Sequence, residues 1–377
     1  MALGNRIAAE LKGDRTIWMI IAVLSLFSLL AVYSATGSLA WSARGGNTTV
    51  FLVTHAVRLA FGLFLVYLCH LLHYRQYQRA APFLMLLTVP LLAFTLFFGQ
   101  SLNDANRWLS IGGISFQPSE FAKIALIIYI ARELTRKQDY ISSLRDAFLP
   151  IIVPVLIVCG LIAPANLSTS LVLFVTCIML MFIGRVSMQY IFLLGLLGIV
   201  LFAGLVAVGK LYPEANLIRV DTWISRVQEY LHTEDGGYQV QQAKIAIAKG
   251  GVIGEGPGNS IIRNFLPYAY ADFIYAIICE EYGLVGGTLV LALYVLLFLR
   301  NVSLVTKSPK AFGSFLAIGL SLMLTVQALA NIAVNVNLVP ATGLTLPLIS
   351  MGGTSMVFTS IALGMILSVS KFIEALE

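Results

Sequence analysis

Long apolar runs separated by short polar connections dominate this chain of 377 residues. A helix needs ~20 consecutive apolar residues to cross the hydrocarbon core of a bilayer. We expect one membrane-spanning helix from each run of this kind. The runs lie at 17–36, 50–72, 80–99, 119–136, 147–164, 168–184, 187–209, 272–299, 311–335 and 351–370. The pattern predicts an all-α polytopic membrane protein with ten transmembrane helices, in which residues 1–377 form a single domain.

Composition and charge agree with this fold class and give the helices an orientation. The chain is 59% hydrophobic and only 11% charged, which argues against a soluble domain with one buried core. Lys and Arg concentrate in alternate connections, such as those holding Arg75, Arg79 and Arg132, while the short connections between them hold only Arg44 and Arg107. Positive connections face the cytoplasm, so both termini are predicted to lie inside. The net charge of +6 follows from this asymmetry and implies no nucleic-acid partner.

The first apolar run and the cysteines make no exception to this picture. The run at 17–36 is too long for the core of a signal peptide, so we expect an uncleaved first span. The four cysteines fall inside apolar runs without metal-ligand spacing, which predicts neither a disulfide framework nor a zinc site: Cys69, Cys159, Cys177 and Cys279.

Two outer segments are unlike ordinary connections. Residues 103–120 mix apolar residues with glycine and proline, which predicts a re-entrant or interfacial loop. Residues 210–271, between the seventh and eighth spans, form a long loop. Within it, apolar residues at helical spacing predict an amphipathic helix over 217–231, and a second short helix is expected over 238–251. We therefore expect a structured outer loop.

Glycine and proline mark two further places where regular structure should stop. The stretch GGVIGEGPGNS, residues 250–260, lacks the Lys-Ser/Thr ending of a phosphate-binding loop, so a tight turn is predicted. Residues 335–355 form a broken approach to the last span. Broken helices of this kind point to a binding cavity in many membrane proteins, transporters included.

Asp272 lies where the long outer loop meets the eighth span. An Asp at this position is either the N-cap of a helix or a general base, and one residue can serve as both. Spacing alone leaves these two interpretations open. Asp272 and Glu280 are eight residues apart, ~12 Å along a helix, which is too far for a glycosidase pair.

Glu280 and Glu281 lie deeper in the same span. A charge in the middle of a spanning helix costs at least ~2.5 kcal/mol, so both need partners. The available cations are Arg58, Arg107 and Lys123. An ion-pair lattice that holds helices together and a role in a substrate cavity are both consistent with the sequence.

A second set of charges lies beside the irregular outer segment 103–120. Glu120 and Lys123 are three residues apart and share a helix face, and Arg107 precedes them. Their position beside an irregular outer loop favours a functional site.

Four stretches, taken together and in order, resemble the SEDS family of peptidoglycan glycosyltransferases, represented by FtsW and RodA. They read NRWLSIGGISFQPSEFAKIAL, GGVIGEGPGNS, NFLPYAYADFIYAIICEEYGLVGG and ATGLTLPLISMGGTS. The resemblance covers nearly the whole chain, and GNS and GLTLPLIS look more like the division-type FtsW than the elongation-type RodA.

The resemblance implies roles for particular residues. Asp272 matches the essential acidic residue of the family, and the positions associated with its substrate cavity are matched by Arg107, Glu120 and Lys123. Glu280 and Glu281 are expected either to bind substrate in this cavity and tune its electrostatic field, or to hold the surrounding helices together. The chain departs from the family pattern at five auxiliary positions: Tyr268, Tyr270, Ala271, Asn166 and Met351.

The resemblance also implies a reaction. The substrate would be lipid II, polymerised into β-1,4 glycan at the outer face of the cytoplasmic membrane with release of polyprenyl pyrophosphate. Asp272 would act as the base, and Arg107, Lys123 or a divalent cation such as Mg²⁺ or Mn²⁺ would stabilise the leaving group. No penicillin-reactive Ser motif is present, so the implied partners are a class B penicillin-binding protein and other division proteins. A lipid II flippase, an elongation-type polymerase and a structural scaffold for division proteins are the alternative interpretations.

Overall fold

A computed structural model describes residues 12–37, 39, 48–102, 105–111, 114–211, 220–232, 237–306 and 310–374. Its helices, in chain order, are α1 (Arg15–Ala35), α2 (Thr48–Leu71), α3 (Tyr74–Phe98), α4 (Pro118–Arg136), α5 (Leu149–Ile162), α6 (Leu167–Ile183), α7 (Met188–Leu211), α8 (Val220–His232), α9 (Tyr238–Gly250), α10 (Ile274–Val305), α11 (Ala311–Asn335) and α12 (Gly353–Glu374). Three strands, β1 (Gln100–Leu102), β2 (Ala105–Ile111) and β3 (Ile114–Phe116), lie between α3 and α4.

A helix occupies each of the ten predicted apolar runs, with α8 and α9 as additional helices in the long outer loop. Seven of the described helical stretches are long and apolar enough to cross a membrane. The helix α4 is interrupted by charge, and α6 has only 17 residues. The apolar stretch of α7 that the structure describes, Met188–Val200, is also short. The fold is therefore that of a polytopic, mostly helical membrane protein.

One end of the bundle gathers the predicted cytoplasmic ends of four helices. Arg300, near the end of α10, donates from Nε to Asp14 Oδ2 at 2.8 Å, and Asp14 caps α1. The Asp14 N–H donates to Ser370 of α12 at 3.0 Å. His73, the cap of α3, stacks on Phe372 with ring centroids 4.0 Å apart. These contacts tie α1, α3, α10 and α12 together at the same level.

The segment predicted as a re-entrant loop, 103–120, instead contributes to a three-stranded antiparallel sheet. The strands follow the order β1-β2-β3, and Gln100 pairs with Trp108 while Leu109 pairs with Phe116. The fold is thus not purely α-helical. The prediction of a re-entrant or interfacial loop did not include these strands, in which strand pairing satisfies the backbone groups locally.

The described parts of the long outer loop, mainly residues 220–232 and 237–271, are structured, as predicted, and pack in a small core. The helix α9 buries Val240, Ala243 and Ala246, which recur every three residues and face the bundle. They pack with Ile277 of α10 and Val334 of α11. Burial of this apolar face holds the loop against the outer end of the bundle.

A glycine-rich wedge, residues 250–256, forms the tight turns predicted for this stretch and inserts against a break in α10. The N–H groups of Leu284 and Val285 would ordinarily bond to carbonyls four residues earlier in the helix. They donate instead to the carbonyls of Gly251 and Val252, at 2.9 and 3.2 Å. The wedge therefore replaces two helical acceptors.

The helical carbonyls left over by this exchange also find partners in the wedge. The carbonyls of Glu280 and Glu281 accept from the N–H groups of Glu255 and Gly256, both at 3.0 Å. All four backbone groups at the break are thus satisfied, which a buried break in a helix requires.

Glycine is needed on both sides of this contact. Gly283 has φ 64° and ψ −163°, a region that is essentially restricted to glycine. Gly254 has φ 92°, and a Cβ on it would collide with the Glu281 carbonyl. Side chains at these positions would force the wedge away from α10.

We predict that Gly254→Ala lowers the apparent melting temperature of the purified protein. The substitution adds both backbone strain and a clash, a cost of ~1–3 kcal/mol for the strain alone. The measurement is thermal unfolding in detergent, followed by intrinsic fluorescence.

The matched control is Gly160→Ala in α5, where a Cβ would meet no atom within 4 Å. Equal melting temperatures for the two variants would contradict the role assigned to the wedge.

Candidate functional site

Asp272 lies just before α10, at the end of the bundle opposite the contact between Asp14 and Arg300. The helix starts at Ile274 and its N-cap is Phe273, so the predicted capping role of Asp272 is wrong. Among the described residues, no donor is within hydrogen-bond distance of the Asp272 carboxylate. Its side chain is partly accessible. Of the two interpretations left open by spacing, the geometry favours the chemical one.

The backbone that leads into Asp272 is fixed by the segment 343–351. The N–H of Met351 donates to the carbonyl of Tyr270 at 2.9 Å. The hydroxyl of Ser350 donates to the carbonyl of Ala271 at 2.6 Å. Two consecutive carbonyls are thereby held by two consecutive residues of the broken approach to α12.

The carbonyl of Asp272 itself is held from α11. Asn331 Nδ2 donates to it at 2.7 Å and Asn335 Nδ2 at 3.2 Å. Asn331 Nδ2 also donates to the carbonyl of Leu344, at 2.6 Å. One buried amide therefore links the acidic residue to the segment 343–351.

A third amide, that of Gln327, lies on the same face of α11 as Asn331 and Asn335 and on the side towards α4. These three side chains form a ladder of amides along α11. Gln327 Nε2 donates to the carbonyl of Thr345 at 2.9 Å, and its Oε1 accepts from Lys123 Nζ at 2.8 Å. Lys123 also pairs with Glu120, at 2.9 Å. Both charged side chains are buried. The predicted pairing on one helix face is confirmed, and this geometry favours a positioning role for both residues.

These three amide side chains were not predicted as part of the site. Gln327, Asn331 and Asn335 follow one another at intervals of four, which places them on one face of a helix. Polar side chains at helical spacing in an otherwise apolar span are a signal that could have found these amides.

The charges of two arginines act on the Asp272 carboxylate. Burial raises the pKa of Asp272 to about 6, and the charges of Arg226 and Arg107 oppose that rise. Arg226 donates to the carbonyl of Ala341 at 3.1 Å, and Arg107 Nε donates to that of Ala165 at 2.7 Å. Arg107 is among the residues predicted from the sequence, whereas Arg226 is not. The site thus combines one carboxylate with two guanidinium groups.

Glu280 belongs to a different cluster, behind the wedge. It is fully buried and forms an ion pair with Lys249 Nζ at 3.1 Å. Its carboxylate also accepts from the hydroxyl of Ser260 and from the N–H of Ile261, the latter at 3.1 Å. Three segments therefore meet at this one side chain: α10, α9 and residues 260–261.

Glu281 closes the same cluster towards α1. It accepts from the hydroxyl of Ser34 and from the N–H of Ser260, the latter at 3.3 Å. Arg263 donates to the carbonyl of Ser34 at 3.1 Å. The predicted partner cations Arg58, Arg107 and Lys123 are wrong for both glutamates, because residues of the outer loop are nearer. The contacts favour helix locking over substrate binding.

The auxiliary positions have structural explanations. Asn166 caps α6 by accepting from the N–H of Thr169 at 3.2 Å, a role that Asp fills equally well. Met351 contributes a backbone N–H, which any residue other than proline supplies. Tyr268 and Tyr270 form an edge-to-face pair with centroids 6.3 Å apart.

Fold and site together define a multi-pass membrane protein that holds one carboxylate among cations at the end of a helical bundle. The chain belongs to the FtsW/RodA/SpoVE family, whose model, described as a cell cycle protein, matches residues 14–375. Members of this family are proteins of the bacterial cytoplasmic membrane, and this chain is one of them.

Relatives match along almost their full length. Stage V sporulation protein E of Bacillus subtilis is 32% identical over 366 residues, covering 95% of this chain and 97% of the relative. A probable peptidoglycan glycosyltransferase FtsW of Alkalilimnicola ehrlichii is 36% identical over 370 residues, covering 95% and 90%.

Solved structures share the fold. One, described by the words "structural coordination of polymerization and crosslinking by a peptidoglycan synthase complex", matches with a TM-score of 0.72 and 25% identity over 95% of this chain and 97% of the other. The rod shape determining protein RodA of Thermus thermophilus matches with a TM-score of 0.68 and 26% identity, over 95% and 96%.

We predict that Asp272→Asn raises the melting temperature at pH 7.5. The folded pKa of about 6 lies above the ordinary value of 3.8 for an aspartate side chain. Folded protein therefore holds the proton more tightly, and stability is lost as pH rises through about 6. Removing the charge should restore on the order of 2 kcal/mol at pH 7.5. Melting curves recorded from pH 7.5 to pH 4.5 should show the two proteins converging, whereas a constant difference would contradict the raised pKa.

Proposed function

We propose that this chain is a peptidoglycan glycosyltransferase of the division type, which polymerises lipid II at the outer face of the cytoplasmic membrane. Family membership and the glycosyltransferase names of its relatives support the activity. The FtsW and sporulation names support division over elongation, although the similar solved structures include a RodA.

The observation that carries the proposal is the state of Asp272. Asp272 is half-buried and its carboxylate makes no hydrogen bond to a described residue, while its backbone is anchored by Ser350, Met351 and Asn331. A general base must be fixed in position and must have an acceptor oxygen available for substrate. Its pKa of about 6 leaves it ionised at neutral pH and close to the optimum for proton transfer.

In the proposed reaction, Asp272 accepts the proton of the 4-hydroxyl of the acceptor sugar. The oxygen attacks the anomeric carbon of the donor, a C–O bond forms, and the bond to the pyrophosphate breaks. Polyprenyl pyrophosphate leaves with the bonding electron pair. Attack from the opposite face inverts an α-linked donor to a β-1,4 product.

Arg226 and Arg107 are the groups that we expect to stabilise the departing pyrophosphate, because both act on Asp272. Lys123, predicted for the same role, is already paired with Glu120 and Gln327 and is assigned to positioning. The described residues contain no group of three or more acidic or metal-binding side chains, so they do not form a protein-only cage for Mg²⁺ or Mn²⁺. A cation that is shared with a substrate pyrophosphate needs only one or two carboxylates, and Asp272 is the residue that would hold it.

The proposed topology places ten helices across the membrane, with both termini in the cytoplasm. The seven long apolar helices support this directly by composition. The helices α4, α6 and α7 would complete the count, with the charges of α4 turned towards the bundle interior. Asp272 then faces outward, where the sugar of lipid II lies.

A class B penicillin-binding protein is the proposed partner, together with other division proteins. The support is the similarity to a structure described as a synthase complex that couples polymerization and crosslinking. Membrane lipids and lipid II complete the expected contacts.

We predict that Asp272→Asn reduces polymerisation of lipid II by ~10²- to 10⁴-fold, the usual contribution of a positioned base. The measurement is glycan strand formation by the purified protein with its transpeptidase partner, resolved on a gel. A matched control is Asp146→Asn, which changes an exposed carboxylate in the connection between α4 and α5. Near-normal strand formation by correctly folded Asp272→Asn would remove Asp272 from the chemistry.

The pH dependence of the same reaction gives an independent test. Because Asp272 must be ionised to act, the rate at limiting substrate should rise with pH through about 6. Arg226→Gln removes a charge that lowers this pKa, so the rise should move to higher pH. Arg145→Gln, which changes an exposed arginine in the connection between α4 and α5, should leave the profile unchanged. A profile that is the same in all three proteins would contradict the assignment of Asp272 as the titrating base.

A further inference from the structure

A cleft at the outer end of the protein is not used by the reaction described above. It has a volume of about 210 Å³ and lies between α8, the start of α9 and residues 337–341. One water needs only ~10–15 Å³ on the same measure, so the cleft can take a molecule much larger than water.

The walls of the cleft combine aromatic rings with planar polar groups. Tyr230 and Tyr238 supply the rings, while the polar groups come from Arg226, Glu229 and Gln239. Aromatic faces pack against the C–H faces of a pyranose ring, and amide, carboxylate and guanidinium groups bond to its hydroxyl and acetamido groups. This combination suits a carbohydrate better than a lipid tail or a phosphate.

Both rings are held in place before any ligand arrives. The hydroxyl of Tyr230 donates to the carbonyl of Leu338 at 3.1 Å, and that of Tyr238 donates to the carbonyl of Phe265 at 3.1 Å. Each hydroxyl is therefore tied to a different segment of the outer surface. Fixed side chains reduce the entropy that binding costs.

The cleft adjoins the acidic site. Arg226 lines it and also acts on the charge of Asp272. The wall formed by residues 337–341 continues to Gly343, where a Cβ would lie 3.5 Å from Asp272 Oδ2. Two residues of extended chain span at most ~7 Å, so the cleft begins about one sugar ring away from the carboxylate.

We propose that this cleft is a glycan subsite that binds a sugar of the growing strand beyond the reacting pair and so sets strand length. The inference rests on the proposed function, because it assumes that the strand is made at Asp272. A strand held at a second point dissociates more slowly between additions. Loss of the subsite should therefore shorten the products without slowing the first additions.

The test measures binding and strand length separately. The binding probe is a peptide-free β-1,4-linked tetramer of N-acetylglucosamine, titrated calorimetrically into the full-length protein. The double variant Tyr230→Ala/Tyr238→Ala should bind it at least ~10-fold more weakly, because two aromatic contacts are lost. The variant Tyr230→Phe/Tyr238→Phe keeps both rings but loses the hydroxyl bonds that fix them, so its affinity should lie between those of wild type and the double alanine variant. Tyr140→Ala, which removes a tyrosine exposed elsewhere on the protein, is the matched control.

In polymerisation assays with lipid II, the double alanine variant should make shorter strands at an initial rate within ~2-fold of wild type. Equal tetramer binding by wild type and the double alanine variant would overturn the subsite, as would binding of the free stem peptide instead of the tetramer. Unchanged strand length would also overturn it. Asp272→Asn should bind the tetramer normally, so a failure of the proposed chemistry remains distinguishable from a failure of the subsite.

Discussion

Every buried backbone group in a membrane bundle must find a partner, because lipid offers none. The outer half of this protein satisfies that constraint at two places where helices stop. At the break in α10, the wedge of residues 250–256 exchanges hydrogen bonds with the helix. Before α10, three consecutive carbonyls are bonded by Met351, Ser350 and the amides of α11. The position of Asp272 is fixed because these three carbonyls are hydrogen-bonded to residues of other segments.

Those two contacts divide the acidic residues into separate roles. Glu280 and Glu281 lie behind the wedge, where Lys249 and Ser260 bond to the carboxylate of Glu280 and Ser34 bonds to Oε1 of Glu281. The other oxygen of Glu281, Oε2, is buried and has no hydrogen-bond partner among the described residues. The Asp272 carboxylate is left available to substrate. A neutral replacement of either glutamate would leave donors of the outer loop without an acceptor, so its effect on activity would come through misplacement of the loop.

The helices could be predicted from sequence because apolar length and periodicity are local properties, and the amphipathic helix α8 and the turns at residues 250–256 were predicted for the same reason. The sheet formed by β1, β2 and β3 was missed because strand pairing depends on partners that periodicity does not reveal. Asp272 was found through family resemblance and position. Arg226 and the ladder of Gln327, Asn331 and Asn335 were missed because their importance comes from which segments they meet across the bundle.

The ladder on α11 is built from carboxamides, which carry no charge at any ordinary acidity. The hydrogen bonds that its amides donate to the Asp272 carbonyl therefore do not change with pH. The free-energy cost of inserting these side chains into the bilayer does not change with pH either. In the proposed topology Asp272 lies at the outer face of the membrane, where changes in the surroundings of the cell arrive without buffering by the cytosol. In this arrangement they alter the proton on one side chain while the frame that aims it stays unchanged.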